Sequence, residues 1–331
     1  MKKNRLFWVF VVYAAVFILG WKIAFFNPLS TSLWMYVNRV SGAIIFGLFL
    51  GGVIDWLVPR EYISSLLASK RKRSIIYAVG TGFFMAACSH GILAIAIQLY
   101  KKGASGPAVV AFLLASPWAN LPLTILMFGF FGFKAFVIII SAIVVALISG
   151  YIFLGLQKLN WIERNPNTIE VKDDFSILQD IRNRMKDANF TSADIHNALI
   201  QIINGAVSLA DMILWWILVG LLMASIAAAY IPSGFMQAYM GASVVGLLAT
   251  LLLATVMEIC SEGTAPLAFE IYRQTGALGN SFVFLMAGVV TDYTEIGLLW
   301  TNVGKRTAIW LPVVAVPQVI ILGYIFNLIL S

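Results

Sequence analysis

CSHGILAIAIQLY (residues 88–100) returns further along the chain as CSEGTAPLAFEIY (residues 260–272), with Cys, Ser, Gly and the closing Tyr in register. The match extends outward at nearly constant spacing. FLLA (112–115) falls on FLMA (284–287), Asn120 on Asp292, VP (58–59) on IP (231–232), and GYIF (150–153) on GYIF (323–326). So regular a series over two long segments indicates an internal duplication. The expected division is an N-terminal transmembrane helix (1–33), a first repeat (34–157), a linker (158–204) and a second repeat (205–331).

The duplicated unit is apolar. Of 331 residues, 61% are hydrophobic and 11% charged, and the mean hydropathy is +0.91. Soluble domains carry about 25% charged residues. Runs long enough to cross about 30 Å of hydrocarbon recur at 6–26, 34–58, 74–100, 107–130, 135–157, 205–231, 242–272, 278–300 and 306–329. The chain reads as an all-α polytopic membrane protein, and the lipid bilayer is its first partner. Alternating ten-residue segments, the mark of a transmembrane barrel, are missing. A net charge of +7 reads as loop topology rather than as a nucleic-acid surface. The opening MKKNR and its apolar run end in WKIAFFNP rather than at a small-residue cleavage site, so an uncleaved first helix with a cytoplasmic N-terminus is expected.

Charge also orients the repeats. Residues 158–198 hold six basic and seven acidic side chains and read as a solvated cytoplasmic linker with a short helix near 176–188. If 74–100 and 242–272 each crossed the membrane once, this linker and Lys101-Lys102 would fall outside. If each instead enters, breaks at its C-S-x-G and returns, then Arg60, the KRKR run (70–73), Lys101, Lys102, the linker, Lys305 and Arg306 share the cytoplasmic side. Lys22, Arg39, Lys134, Arg273 and the uncharged loop 232–241 are then external. Each repeat has about three crossings plus a re-entrant hairpin, and the second repeat is inverted relative to the first. Arms of about 13 residues reach some 20 Å, to the midplane. Inverted repeats whose broken helices meet at mid-bilayer are a recurring design of secondary transporters.

The hairpin tips carry the chemistry. A carboxylate at the bilayer centre costs about 2.5–3.5 kcal/mol on insertion scales, yet five of the eight carboxylates outside the linker lie between 258 and 295. In MEICSEGTAP, Gly263 and Pro266 are expected to loosen or break the helix, while Glu258 and Glu262 lie four apart on one face. The first tip, AACSHGIL, places His90 where the second has Glu262, and a histidine there serves as ligand or proton carrier. Cys88 and Cys260 occupy equivalent positions. Singly each reads as a small hydrophobe; as a symmetric pair they suggest a site for a thiophilic metal or metalloid. With Ser89, Ser261, Asn120 and Asp292 these residues form the expected substrate site. Cys88, His90, Glu258, Cys260 and Glu262 are the candidate metal ligands. Glu262, Asp292 and Glu295 are the candidates for proton or ion coupling. For Asp292 a second reading, a helix cap, stays open. SPWANLP (116–122) and GVVTDYTE (288–295) are expected to interrupt their spans. Walker A, GxGxxG and GxSxG patterns are lacking, so no cofactor and no ATP-driven step is expected.

These tips, the KKGAS turn followed by FLLASPWAN, and FLMAG…TDYTEIG resemble the predicted permease family that includes organoarsenical efflux permeases (ArsP-like). The resemblance implies an inner-membrane permease extruding small, thiol-reactive solutes. That family's fuller tip motif reads C-S-C-G with a following Pro. Here His90 and Glu262 replace the middle Cys, and Pro266 remains only in the second half, which points to a harder or mixed-ligand cargo. The expectation is a non-enzymatic transporter of a small inorganic or organometallic solute, with homo-oligomerisation left open. The alternatives are a passive channel and, third, an intramembrane metal-dependent enzyme.

Overall fold

The computed structural model describes residues 3–57, 73–82, 89–101, 103–119, 121–166, 192–257 and 261–330. Regular structure among them is entirely helical. The helices are α1 (Lys3–Lys22), α2 (Asn27–Leu57), α3 (Arg73–Gly82), α4 (Ser89–Lys101), α5 (Gly106–Ala119), α6 (Leu121–Phe131) and α7 (Lys134–Lys158). They continue as α8 (Ser192–Tyr230), α9 (Ser233–Met240), α10 (Val244–Met257), α11 (Ser261–Thr275), α12 (Leu278–Val290), α13 (Tyr293–Asn302) and α14 (Lys305–Ile329). Among the described residues, five helical stretches are long and apolar enough to cross a membrane, or seven if each bent pair counts as one span. The expected short helix at 176–188 lies outside the described residues, and the expected boundary at 205 falls within α8.

Large apolar side chains such as Trp21, Phe133 and Val256 are exposed, whereas Trp118, Tyr36, Phe112 and Phe282 are fully buried. Outward-facing apolar residues around a packed interior are what a bilayer-solvated bundle requires. Small residues let helices approach backbone to backbone, as in membrane bundles generally. A Cβ on Gly220 of α8 would lie 2.1 Å from the Gly263 oxygen of α11, and one on Gly279 of α12 would lie 1.8 Å from the Gly323 oxygen of α14. Either glycine changed to alanine forces those helices apart.

Contacts fix the direction of the short helices. Gly82, at the end of α3, lies against Ser116 near the end of α5, while Ile75, near the start of α3, meets Gly150 of α7, which also touches Ala111. Thus α3 runs parallel to α5. The tight turn from α4 to α5 makes that pair antiparallel, so α3 starts on the side where α4 ends. In α10–α12 the arrangement recurs. Asn280, early in α12, donates to the carbonyls of Met240 and Gly241 and to Thr250 Oγ1. At the other ends, Thr255 and Thr291 hydroxyls are 2.6 Å apart. Gln237 Nε2 donates to the Gln274 carbonyl, so α10 starts where α11 ends. Gly323 of α14 meets Val283 and Leu247 as Gly150 meets Ala111 and Ile75.

Helices α4 and α11 end at opposite ends of the bundle. At one end, Asn165 Nδ2 donates to the carbonyls of Tyr100 and Ala104 (2.6 and 2.7 Å). Beside it Glu163 accepts from the backbone N–H groups of Arg306 and Thr307 and from the Thr307 hydroxyl. At the other end, Lys134 Nζ donates to Tyr272 Oη and the Leu330 carbonyl. The start of the expected solvated linker is therefore a packed clasp rather than free chain: Ile162 is buried in the hydrophobic core, and Asn165 is buried on the Tyr100 and Ala104 carbonyls at the end of α4. Gly304 leaves room for the Glu163 carboxylate at the first turn of α14. Partial burial pushes the Glu163 carboxyl up, but the hydrogen bonds from Arg306 and Thr307 outweigh it and hold the carboxyl below its ordinary value.

Candidate functional site

Helix α11 starts at Ser261, and Glu262 occupies its first turn, where exposed N–H groups and the helix dipole favour a carboxylate. Glu262 is 2% exposed and Thr264 is 3% exposed. The expectation that Gly263 and Pro266 break the helix is not met: α11 runs through both. Pro266 is the sixth residue of α11, just past the four whose N–H groups have no partner within the helix. Having no N–H, it donates nothing to the Glu262 carbonyl one turn back.

Glu262 lines a narrow crevice with Ile44 and Leu48 of α2, Pro122, Leu123 and Leu126 of α6, and Ile213 and Ile217 of α8. Among the described residues that line this crevice, Glu262 is the one ionisable side chain.

A second acidic group lies at the break between α12 and α13. Asp292 caps α13: its Oδ1 accepts from the N–H groups of Thr294 (2.7 Å) and Glu295 (3.2 Å). Asp292 is 4% exposed and Glu295 1%. The capping reading of Asp292 is therefore observed, and Glu295 follows it in the same first turn. The interruptions expected at 116–122 and 288–295 fall where α5 gives way to α6 and α12 to α13.

Helix α11 packs against α6, and α4 packs against α13. Cys88, Glu258, Cys260 and Asn120 lie outside the described residues. Ser89, His90 and Ser261 are described only as the first residues of α4 and α11. Among the described residues, no three His, Cys, Asp or Glu side chains gather as a metal site.

The sequence reading missed a third group, centred on Glu270. This residue is fully buried, yet it accepts from Arg273 Nε and Nη2 (2.7 Å each), from Gln274 Nε2 (2.5 Å) and from the Tyr36 hydroxyl of α2. Arg39, one turn beyond Tyr36, donates to the Gly129 and Phe130 carbonyls at the end of α6, and its guanidinium lies 4.7 Å from the Phe269 ring centroid. Phe269 also stacks on Phe130 at 5.3 Å. These contacts bind α2, α6 and α11 together on the Lys134 side of Glu262. The spacing of Glu270, Arg273 and Gln274 along one helix face was a visible signal; the partner on α2 was not.

A family model described as a predicted permease (ArsP_1) matches residues 24–328. UPF0718 protein YcgR of Bacillus subtilis is 24% identical over 267 residues, covering 80% of this chain and 84% of its own. Rv2963 of Mycobacterium tuberculosis, which carries a permease name, is 25% identical over 254 residues, covering 71% of this chain and 60% of its own. UPF0718 protein YraQ of Escherichia coli is 27% identical over 150 residues, 43% of this chain and 41% of its own. No solved structure matches the chain. An all-helical, membrane-spanning architecture and a family match across nearly its whole length agree: the chain belongs to the predicted permease family.

Proposed function

We propose that this permease is a secondary transporter of the cell (inner) membrane that moves a small thiophilic or cationic solute through a central site. The observation that carries the reading is Glu262, buried at the head of α11 in a crevice walled by α2, α6 and α8. A membrane-embedded carboxylate facing a bundle interior is costly and marks a solute or proton path. Cys88 and Cys260 contact a soft cargo, with Ser89, His90, Glu258, Ser261, Glu262 and Asn120 around it. Cys88, His90, Glu258, Cys260 and Glu262 supply ligands if the cargo is a metal ion. Glu262, Asp292 and Glu295 exchange the coupling proton or neutralise the cation. The N-terminus and residues 158–204 are cytoplasmic in this reading.

The two halves act as inverted repeats. What supports this is the recurrence of the Gly150–Ile75–Ala111 contacts as Gly323–Leu247–Val283, and the opposite ends of the bundle at which α4 and α11 finish. Repeat symmetry extends the site. The shift that carries His90 onto Glu262 carries Pro122 and Leu123, which line the Glu262 crevice, onto Thr294 and Glu295. In this reading the contact between α4 and α13 is the counterpart of the Glu262 crevice. The Glu270 cluster serves as the outer lock: while Arg273, Tyr36 and Gln274 hold Glu270, α2, α6 and α11 close that side. Alternating access requires the lock to open when the opposite side closes.

The test is solute-driven proton movement in reconstituted vesicles, surveyed across thiophilic metalloids and divalent cations. Glu262→Gln and the Cys88→Ser, Cys260→Ser pair each lower flux at least tenfold. Wild-type flux in all of these variants rejects the central site.

A further inference from the structure

At the linker end of the bundle, Trp161 and Trp310 stack with ring centroids 5.6 Å apart at 28°. With Asn160, Arg306 and Ile309 they line an open cleft. A neighbouring cleft is lined by Ser105, Gln157, Lys158 and Arg164. Both flank the segment 159–166, which leaves α7 through Asn160, a residue held at φ +58°. Four cations, Lys158, Arg164, Lys305 and Arg306, are exposed around this segment. Among the described residues there, one carboxylate, Glu163, accepts from the first turn of α14 and offsets only one of these four cations. Arg306 is exposed, and among the described residues its Nη1 donates to the Asn160 carbonyl at 3.3 Å. Leu159 (63%), Trp161 (53%) and Ile309 (50%) expose apolar surface beside those charges.

Tryptophan marks the depth at which headgroups meet hydrocarbon. Basic side chains at that depth attract anionic lipid, and a guanidinium recognises phosphate in a forked geometry. We propose that this cleft seats an anionic phospholipid of the linker-side leaflet. Its phosphate lies on Arg306, with Lys158 and Arg164 adding charge, and its glycerol region rests against the Trp161–Trp310 pair. Because the same segment ties α4 to α14 through Asn165 and Glu163, a lipid bound there steadies the junction between the two repeats.

The experiment compares retention of phosphatidylglycerol and phosphatidylcholine by the full chain, using native mass spectrometry from mixed micelles, with inorganic phosphate as a third arm. Wild type retains phosphatidylglycerol preferentially. Arg306→Gln lowers that preference about fivefold, as expected for loss of one basic side chain near an anionic surface. This variant keeps the Glu163 clasp, since Glu163 holds the backbone rather than the side chain of Arg306. A Lys158→Gln, Arg164→Gln pair lowers it further and provides a second, independent variant. Equal retention of the two lipids, or full preference in both variants, overturns the proposal. Equal occupancy by inorganic phosphate alone also overturns it, by assigning the cleft to a free anion.

Discussion

Replacing Glu270 with Gln should open the permease towards the Lys134 side. Both carboxylate oxygens of Glu270 take hydrogen bonds from Arg273 at 2.7 Å, and Tyr36 reaches the same carboxylate from α2. A neutral amide keeps one acceptor oxygen, loses the charge and directs an NH2 group at the Arg273 guanidinium. Hydrogen bonds to charged groups contribute about 1.5–3 kcal/mol each. Arg273 is 42% exposed, so water screens part of its loss, and a total near 1.5–3 kcal/mol is the reasonable scale. That shifts a closed-to-open equilibrium by roughly 10- to 150-fold, at 1.4 kcal/mol per factor of ten. The chain itself supplies the reporter, because its only two cysteines, Cys88 and Cys260, directly precede α4 and α11 in the sequence. A membrane-impermeant maleimide added from the Lys134 side should label them tens of times faster in Glu270→Gln. Tyr36→Phe, which removes one donor and no charge, should give a smaller rise. Labelling at the wild-type rate in a Glu270→Gln protein that unfolds at the normal temperature would refute the lock.

Three further outcomes follow from the geometry. Glu163→Gln should lower thermal stability by about 1–2 kcal/mol, the scale of a lost helix cap, measured by tryptophan fluorescence during heating. The Glu163 carboxyl lies below its ordinary value of 4.5, so its contribution is complete above that pH and disappears as pH falls through the lower folded value. Wild type and variant should therefore converge in acid and differ at neutrality; a difference that grows below pH 4.5 would contradict the sign. Thr291→Val removes the 2.6 Å hydroxyl contact with Thr255. It should cost about 1 kcal/mol and slow transport without changing cargo selectivity, read from relative flux across the metal panel. Asp292→Asn keeps an acceptor for the Thr294 and Glu295 N–H groups. It should fold normally yet lose proton coupling; coupling at the wild-type level would leave Asp292 as a cap alone.

The spans were legible because continuous apolarity is a strong signal over twenty residues, and helices α7, α12–α13 and α14 lie within a few residues of the expected segments. The expected hairpin topology rested on loop charge, and Arg73, Lys101, Lys158 and Lys305 do fall at helix ends. What the sequence concealed depends on distant partners. EIYRQ shows that Glu270, Arg273 and Gln274 share a face, but nothing in the chain announces that Tyr36 closes the cluster. Polarity made 158–166 look like solvated linker, whereas Glu163 and Asn165 are polar because helix ends need them. Pro266 suggested a break, whereas α11 runs through it.

The central claim is that both hairpin tips approach one another inside the membrane. Pulsed electron paramagnetic resonance on nitroxides attached to the two native cysteines tests it directly. One narrow distance peak, well below the roughly 30 Å thickness of the hydrocarbon core, is the predicted result. A peak at or beyond that thickness would place Cys88 and Cys260 on separate surfaces and contradict a shared site.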